Sequence, residues 1–283
     1  MKYLVLGKKG QLGKDFVKEL NRQGRDFSAF DIDELDIGRL SDVLAVFEKI
    51  KPSIVINCAA CNQVDMAEER YDLAYRVNSL GVRNLAFASK KYNSFLVHYS
   101  SDYIFDGSKT NGLYIEEDAP HPLNEYGKSK YLGELFLKEE MDKYLILRLS
   151  WVFGEGEQNF IHKLLDWSKK NEYLKIASDE VSVPTYTGTV VQVTLRAMEK
   201  ALSGLYHLTN SGYASRYEWA RFILNTLNIN KVIYPVSKEI FNLPARRPAF
   251  SAMSNEKISK ILNIEIPFWE EEIRRFINKY GNR

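Results

Sequence analysis

Cysteine is scarce in this sequence, since only Cys58 and Cys61 occur among 283 residues. Two cysteines cannot build a disulfide framework. With no second C-x-x-C and no nearby histidine pair, they also cannot complete a tetrahedral zinc site, so we expect no metal.

Long apolar runs are lacking as well. The N-terminal run "YLVL" is far shorter than a signal-peptide core or a membrane span, which predicts a cytoplasmic protein with no membrane contact.

The sequence also lacks an excess of charge of one sign. Its 39 lysines and arginines stand against 37 aspartates and glutamates, a formal net charge of +2. Proteins that bind nucleic acids or anionic membranes usually carry a clear basic surplus. Neither kind of partner is therefore expected.

Short apolar runs alternate with helical stretches through the first half of the chain. The runs "KYLVLG", "DFSAFD", "SIVIN", "FLVHYSS" and "YLILRLS" read as strands, and the segments between them as helices, including one long helix over residues 68–91. This alternation predicts an α/β fold, a Rossmann-type doubly wound parallel sheet with helices on both faces. After residue 151 the rhythm loosens. We therefore expect one domain over residues 1–150 and a smaller mixed α/β region over residues 151–283, interdigitated with the first.

A glycine-rich turn, "GKKGQLG", joins the first predicted strand to the first helix. Gly7, Gly10 and Gly13 let the backbone turn sharply and approach a phosphate closely. The helix start at Gln11, Leu12 and Gly13 offers free N–H groups and the positive end of the helix dipole. An ordinary tight turn is the alternative, but the position at the first strand–helix junction favours a dinucleotide cofactor, NADPH or NADH.

Asp31 ends the second predicted strand, about 20 residues after the turn. A carboxylate at this place can accept hydrogen bonds from an adenosine ribose, which favours NADH over NADPH. The alternative is a solvated aspartate in a turn.

Three polar residues suggest acid–base chemistry beside that cofactor. Tyr126 and Lys130 lie four residues apart in "EYGKSK", on one face of a predicted helix, so the ammonium can sit near the phenol and stabilise its anion. A free tyrosine has a pKa of about 10, and lowering it by about three units takes roughly 4 kcal/mol. Ser101, at the carboxyl end of a predicted parallel strand, can polarise a carbonyl there. The alternative for Tyr126 and Lys130 is a solvated face of an amphipathic helix. The alternative for Ser101 is a serine that hydrogen bonds to its own backbone.

The glycine turn, the strand-end serine and the Tyr-x-x-x-Lys pair, in this order, resemble the extended short-chain dehydrogenase/reductase superfamily. Further stretches narrow the resemblance to the dTDP-4-dehydrorhamnose reductase family and cover nearly the whole chain. They are "NCAACNQVDMAE", "VNSLGVRNL", "SSDYIFDG", "NEYGKSKYLGE", "RLSWVFG", "VPTYTG", "GLYHL" and "RRPAFSAMSNEKI".

The resemblance implies the following assignments. Ser101, Tyr126 and Lys130 would form the catalytic set, Tyr103 and Trp151 would line a deoxysugar pocket, and Arg247 would meet a nucleotide diphosphate. Asp31, Asp36 and Ile37 would lie near the adenosine, Ala59 and Ala60 along the cofactor, and Asn78 on a supporting helix. The first domain would then bind NAD(P) and the second region the substrate.

The implied activity is NAD(P)H-dependent reduction of the C4 ketone of a nucleotide-activated 6-deoxysugar, most specifically of dTDP-4-dehydrorhamnose to dTDP-L-rhamnose. Another sugar-nucleotide reductase or epimerase of the superfamily, or a catalytically silent regulatory subunit that binds NADP, stays an alternative. A dehydratase is disfavoured because Tyr103 stands where those enzymes carry a glutamate. The partner would be a nucleotide sugar, and a homodimer is left open.

The C-x-x-C pair is expected to be dispensable for turnover. No helix N-terminus follows Cys58 directly to lower a thiol pKa, and small residues suit a strand end that a cofactor approaches. Replacing Cys58 and Cys61 together by serine should leave kcat within about tenfold of wild type, a change of about 1.4 kcal/mol in the barrier. Loss of turnover in a variant with an unchanged circular dichroism spectrum would instead indicate thiol chemistry.

Overall fold

The computed structural model describes residues 1–280. Its strands are β1 (Tyr3–Leu6), β2 (Phe27–Phe30), β3 (Ile54–Asn57), β4 (Phe95–Ser101), β5 (Tyr144–Leu149), β6 (Val152–Phe153), β7 (Tyr173–Ala177), β8 (Val181–Ser182), β9 (Thr185–Tyr186), β10 (Gly204–His207), β11 (Ala214–Ser215) and β12 (Val232–Val236). Its α-helices are α1 (Gln11–Arg22), α2 (Leu40–Ile50), α3 (Val64–Glu69), α4 (Tyr71–Tyr75), α5 (Gly81–Lys91), α6 (Glu125–Glu140), α7 (Phe160–Lys170), α8 (Thr187–Glu199), α9 (Arg216–Thr226), α10 (Glu256–Leu262) and α11 (Trp269–Tyr280). A π-helical turn covers Arg76–Leu80, and 3-10 turns cover Asp102–Ile104 and Lys238–Phe241.

A parallel sheet with the strand order β2-β1-β3-β4-β5-β10 forms the centre of the protein. Successive side chains of β1 alternate between its two faces, so Val5 packs with Phe16 of α1 on one side and Leu6 with Phe47 of α2 on the other. Both faces are covered, which explains why the strands read as continuous apolar runs. The predicted Rossmann-type sheet is confirmed.

The strand order reverses beside β1, because the chain leaves β1 for β2 on one side and then returns to β3 on the other. In such sheets a crevice opens outside the carboxyl ends of the strands at the point of reversal. The glycine-rich turn follows β1, and Cys58 follows β3. The fold thus brings both segments to this crevice.

The long helix predicted over residues 68–91 is confirmed over residues 71–91, where α4, the π-helical turn and α5 follow one another without a break. Its predicted start is wrong, because α3 ends at Glu69 and the next residue, Arg70, has a φ of −120° and a ψ of 53°, which are not helical. Helix α6 presses against the π-helical turn so closely that a Cβ at Gly133 would lie 2.1 Å from the carbonyl oxygen of Asn78. The widened turn points the Asn78 side chain at the loop after β3, where it exchanges two 2.9 Å hydrogen bonds with the backbone of Cys61. Turns of this kind often occur near functional sites.

The C-terminal half builds a second core from short strand pairs, β6 with β9, β7 with β12 and β8 with β11. Trp151, Phe153 and Trp219 lie at its centre. Strand β10 also comes from this half, yet it pairs with β5 as the edge of the central sheet. The boundary near residue 150 stays a prediction. None of the helices in residues 1–280 is both long and apolar enough to cross a lipid bilayer.

A fully buried ion pair fastens helix α6 to strand β5. Arg148 donates to both carboxylate oxygens of Glu134 at 2.9 and 2.7 Å, and the two side chains are 2% and 0% exposed. Burial alone would raise the pKa of Glu134, but Arg148 holds that pKa below its ordinary value. The carboxylate stays charged because its partner is present.

Removing one member of this pair should destabilise the protein strongly. Arg148→Met leaves the buried Glu134 with only the longer 3.6 Å ion pair to Lys138, and should lower the free energy of unfolding in urea by about 3–5 kcal/mol. The matched control is Lys170→Met, which breaks the exposed pair with Asp166 and should cost less than about 1 kcal/mol. Equal losses in the two variants would contradict a structural role for the buried pair.

Candidate active site

The glycine-rich turn packs directly on the loop after β3. Gly7 has a φ of +76°, and a Cβ there would lie 2.8 Å from the backbone nitrogen of Ala59. A Cβ at Gly13 would lie 2.1 Å from the carbonyl oxygen of Gly7. Only glycine fits these contacts. Helix α1 begins with Gly10 at its N-cap, which has no side chain to cap the amides of Gln11 and Leu12.

The aspartate at the end of β2 folds back onto this turn. Asp31 accepts hydrogen bonds from the backbone amides of Lys9 at 2.8 Å and Ile32 at 2.9 Å. Asp36 instead shapes the following loop, since it accepts the amide of Gly38 at 2.9 Å and a hydrogen bond from Arg76 at 3.1 Å. Asp31 is thus the carboxylate at the glycine turn.

Ile37 and the two alanines after β3 occupy different surroundings. Ile37 is buried in the core beside the sheet. Ala59 donates its amide to Asn57 at 3.1 Å, and Ala60 is exposed. Burial raises the pKa of both Cys58 and Cys61, so neither thiol is disposed to ionise.

Ser101 and Tyr126 come together at the end of β4. Helix α6 begins here because Asn124 caps it, accepting the amide of Gly127 at 2.8 Å. A Cβ at Gly127 would lie 2.2 Å from the carbonyl oxygen of Tyr103, so the first turn of the helix rests on the backbone just after Ser101. Loss of solvation raises the pKa of Tyr126 to about 12, although a hydrogen bond with the Ser101 hydroxyl lowers it. The phenol therefore holds its proton at neutral pH.

Lys130 lies one turn further along α6 and points at the sheet. Its side chain is buried, and Nζ donates to the carbonyl oxygen of Tyr99 at 2.6 Å. Burial lowers the pKa of Lys130 to about 8, although the negative charge of Glu134 raises it. The sequence placed this ammonium beside the Tyr126 phenol to lower its pKa. In the structure, burial of the phenol raises that pKa instead.

A carboxylate that the sequence reasoning missed lies next to Ser101. Asp102 is 2% exposed and accepts hydroxyl hydrogen bonds from Ser101 at 3.2 Å, Ser182 at 2.8 Å and Ser251 at 2.6 Å. Burial raises the pKa of Asp102 to about 6, while these hydrogen bonds lower it. Its place directly after the strand-end serine was the available signal. The serines at positions 182 and 251 could not be found from sequence.

A cleft of about 1200 Å³ opens on the C-terminal side of this cluster, with Trp151 in its wall. Six cationic residues line it, namely Lys163, Lys175, Arg216, Lys238, Arg246 and Arg247. The Arg216 guanidinium lies 3.5 Å from the centre of the Trp151 ring, and Trp151 itself has a φ of +37°. Backbone strain of this kind persists where the surroundings hold a residue in place.

Tyr103 connects the cleft with the acid–base pair. Its ring lies 6.0 Å from that of Tyr126, and its hydroxyl donates to Glu180 in the cleft wall at 3.2 Å. Within residues 1–280, the lining of the cleft does not include Ser101, Tyr126 or Lys130. The predicted residue Arg247 does, and it is bound to Asp65. Sequence reasoning did not single out Asp65, Glu180 or Arg216.

No three histidine, cysteine, aspartate or glutamate side chains within residues 1–280 are grouped so that they could hold a metal ion. The absence of a metal from the working protein stays a prediction.

Known proteins resemble this chain over its whole length. Residues 1–282 match the family model described as the RmlD substrate binding domain. The dTDP-4-dehydrorhamnose reductase of Burkholderia thailandensis is 36% identical over 287 residues, which cover 95% of each chain. The crystal structure of a dTDP-4-dehydrorhamnose reductase from Clostridium acetobutylicum is 34% identical with a TM-score of 0.96, covering 99% of this chain and all of that one.

The enzyme of the same name from Bacillus anthracis, in complex with NADP, is 37% identical with a TM-score of 0.94 and covers 98% of this chain and 99% of that one. The match of the family model and the identities of these relatives agree. The chain therefore belongs to the family of the RmlD substrate binding domain.

Proposed function

We propose that this protein is an NAD(P)H-dependent reductase that converts the C4 ketone of dTDP-4-dehydrorhamnose to the alcohol of dTDP-L-rhamnose. The position of Tyr126 carries the proposal: the first turn of α6 packs on the backbone just after Ser101, close enough for the Ser101 hydroxyl to lower the pKa of the phenol. It sets a protonated acid beside a strand-end hydroxyl, at the same edge of the sheet as the glycine-rich turn. Relatives named dTDP-4-dehydrorhamnose reductase over the full length support the substrate.

The chain's residues fit a dinucleotide. The close contacts at Gly7 and Gly13 leave no room for a side chain at those two positions, and the uncapped start of α1 presents N–H groups to an anion. Gln11, Leu12 and Gly13 would hold the diphosphate, and Asp31 the adenosine ribose, with Asp36 and Ile37 in the adjoining loop. Ala59 and Ala60 would lie along the cofactor. The B. anthracis relative in complex with NADP supports this site.

The bound nicotinamide would supply the hydride that reduces the carbonyl carbon. Tyr126 donates the proton to the carbonyl oxygen, since its raised pKa keeps the phenol protonated until the oxygen becomes basic. Ser101 hydrogen bonds to that oxygen as negative charge develops. Lys130, whose Nζ donates to the carbonyl oxygen of Tyr99, adds a buried positive charge to the floor of the site and would also bind the nicotinamide ribose.

The cationic cleft suits the other end of the substrate. Arg247 would bind the diphosphate, because a guanidinium can pair with phosphate through two hydrogen bonds. Tyr103 and Trp151 would flank the deoxysugar, between the acid–base pair and the cleft. The proposal also places the protein in the cytoplasm, and a homodimer stays a prediction.

Turnover tests the proposal directly. The purified protein, mixed with dTDP-4-dehydro-6-deoxy-L-mannose and either NADPH or NADH, should remove the absorbance of the reduced nicotinamide in proportion to the sugar added. Saturable cofactor binding without any turnover would favour the silent regulatory subunit.

Tyr126→Phe should abolish most activity, because it removes the proton donor and keeps the ring. We expect kcat to fall by about 10²- to 10⁴-fold with cofactor affinity unchanged, a larger loss than for Ser101→Ala. Tyr131→Phe, on the same helix, is the control and should turn over normally. Wild-type turnover by the Tyr126 variant would mean that another group supplies the proton.

Lys130→Met should weaken cofactor binding as well as turnover. Because the pKa of Lys130 is lowered to about 8, its positive charge is lost as pH rises through that value, and kcat/KM of wild type should decline there. The variant should lack this decline and bind NADH several-fold more weakly. Lys128→Met, an exposed lysine on the same helix, should keep both the wild-type affinity and the wild-type pH profile. An unchanged pH profile in the Lys130 variant would contradict the role of the ammonium.

Asp31→Ala should shift cofactor preference towards NADPH. The carboxylate beside the glycine turn repels a 2′-phosphate and accepts hydrogen bonds from a free ribose, so wild type should bind NADH at least as well as NADPH. We expect the ratio of NADPH to NADH affinity, measured by titration calorimetry, to rise about tenfold in the variant. Asp42→Ala on α2 should leave the ratio unchanged. A strong NADPH preference in wild type would contradict only the role of Asp31.

A further inference from the structure

Arg247 enters the cleft already bound to a carboxylate. Its two terminal nitrogens donate to the two oxygens of Asp65 at 3.0 and 2.7 Å. Both residues line the cleft, and the Arg247 side chain is only 14% exposed. A carboxylate and a phosphate present paired oxygens to a guanidinium in the same way. Asp65 thus holds the group that the proposed function assigns to the diphosphate.

We propose that Asp65 is an internal stand-in for the diphosphate of the nucleotide sugar, which displaces it from Arg247 when the substrate binds. Asp65 then determines how tightly the phosphate-bearing end of the substrate is held. This inference rests on the proposed function, since it specifies how that cleft recognises its ligand.

Asp65 keeps favourable partners after such an exchange. Its Oδ1 also accepts the backbone amide of Ala245 at 3.2 Å, and the positive charge of Lys163 acts on the same carboxylate. The released aspartate is 38% exposed, so water can solvate it. A buried charge without a partner would be costly, and the exchange creates none.

The backbone around Arg247 is fixed, so the exchange needs only a side-chain movement. The carbonyl oxygen of Arg246 accepts a 2.8 Å hydrogen bond from Asn124, the residue that caps helix α6. On the other side of Arg247, the carbonyl oxygen of Ala249 accepts the backbone amide of Val181 at 2.9 Å. A diphosphate carries more negative charge than one carboxylate and also meets the other cations of the cleft, which favours its binding over Asp65.

Binding of dTDP to the whole protein tests the exchange without relying on turnover. Of the four tryptophans in the chain, Trp151, Trp167 and Trp219 line the cleft, so ligand binding can be followed by tryptophan fluorescence. Asp65→Asn removes the competing charge and should bind dTDP about threefold to tenfold more tightly than wild type. Thymidine, which has no phosphate, should bind both proteins equally.

Two further variants separate the exchange from a general change in charge. Asp72→Asn removes the same charge from an exposed pair with Arg70, outside the cleft lining, and should leave dTDP affinity unchanged. Arg247→Met should weaken dTDP binding. In that background Asp65→Asn should give no gain, because the residue for which aspartate and phosphate compete is gone.

Affinity for dTDP that is unchanged or weaker in Asp65→Asn overturns the exchange, as does a gain that persists without Arg247. If Asp65→Asn melts at a lower temperature than wild type, the Asp65→Ser variant also removes the carboxylate, and its dTDP affinity is then measured and interpreted in the same way. Failure of wild type itself to bind dTDP overturns the proposed function, and the exchange with it. The two failures are thus distinguishable.

Discussion

The geometry of the acid–base pair depends on a close backbone contact between helix α6 and the turn after strand β4. At Gly127 even a methyl group would lie 2.2 Å from the carbonyl oxygen of Tyr103. This contact brings the first turn of the helix, which carries Tyr126, to the end of the strand, which carries Ser101. A larger residue would move the helix away and separate the two hydroxyls. The proposed chemistry depends on that spacing, because proton transfer requires hydrogen-bond distance.

Several polar side chains around this contact are buried, and burial governs their charges. Lys130 and Asp102 are both buried, and the pKa of each shifts towards the neutral form, to about 8 and about 6. Glu134 is equally buried but stays charged, because Arg148 pairs with it through two hydrogen bonds. Perturbed pKa values of this kind concentrate at functional sites. The same fold thus contains a buried ion pair, Glu134 with Arg148, that holds helix and sheet together. It also contains two buried groups, Lys130 and Asp102, whose pKa values lie near neutral pH.

Local sequence patterns predicted the strands and most of the helices of the first half, because apolar periodicity and glycines act within a few residues. They also singled out the glycine turn, Ser101 and Tyr126 as candidate site residues, because these lie at the ends of elements. The π-helical turn within residues 71–91 was missed because it packs against α6, more than 50 residues away in sequence. For the same reason, spacing within a helix could not show that Lys130 reaches Tyr99 or that Asp65 holds Arg247. Those partners are brought together only by the tertiary fold.

The most direct test of the central claim is to follow the hydride itself. The protein would be given dTDP-4-dehydro-6-deoxy-L-mannose and NADPH that carries deuterium in both positions at C4 of the nicotinamide, and the sugar product would be examined by NMR. Reduction at the carbonyl predicts deuterium at sugar C4 alone, with the proton signal of that carbon lost. Deuterium at another carbon, or a product formed without the label, would contradict the account.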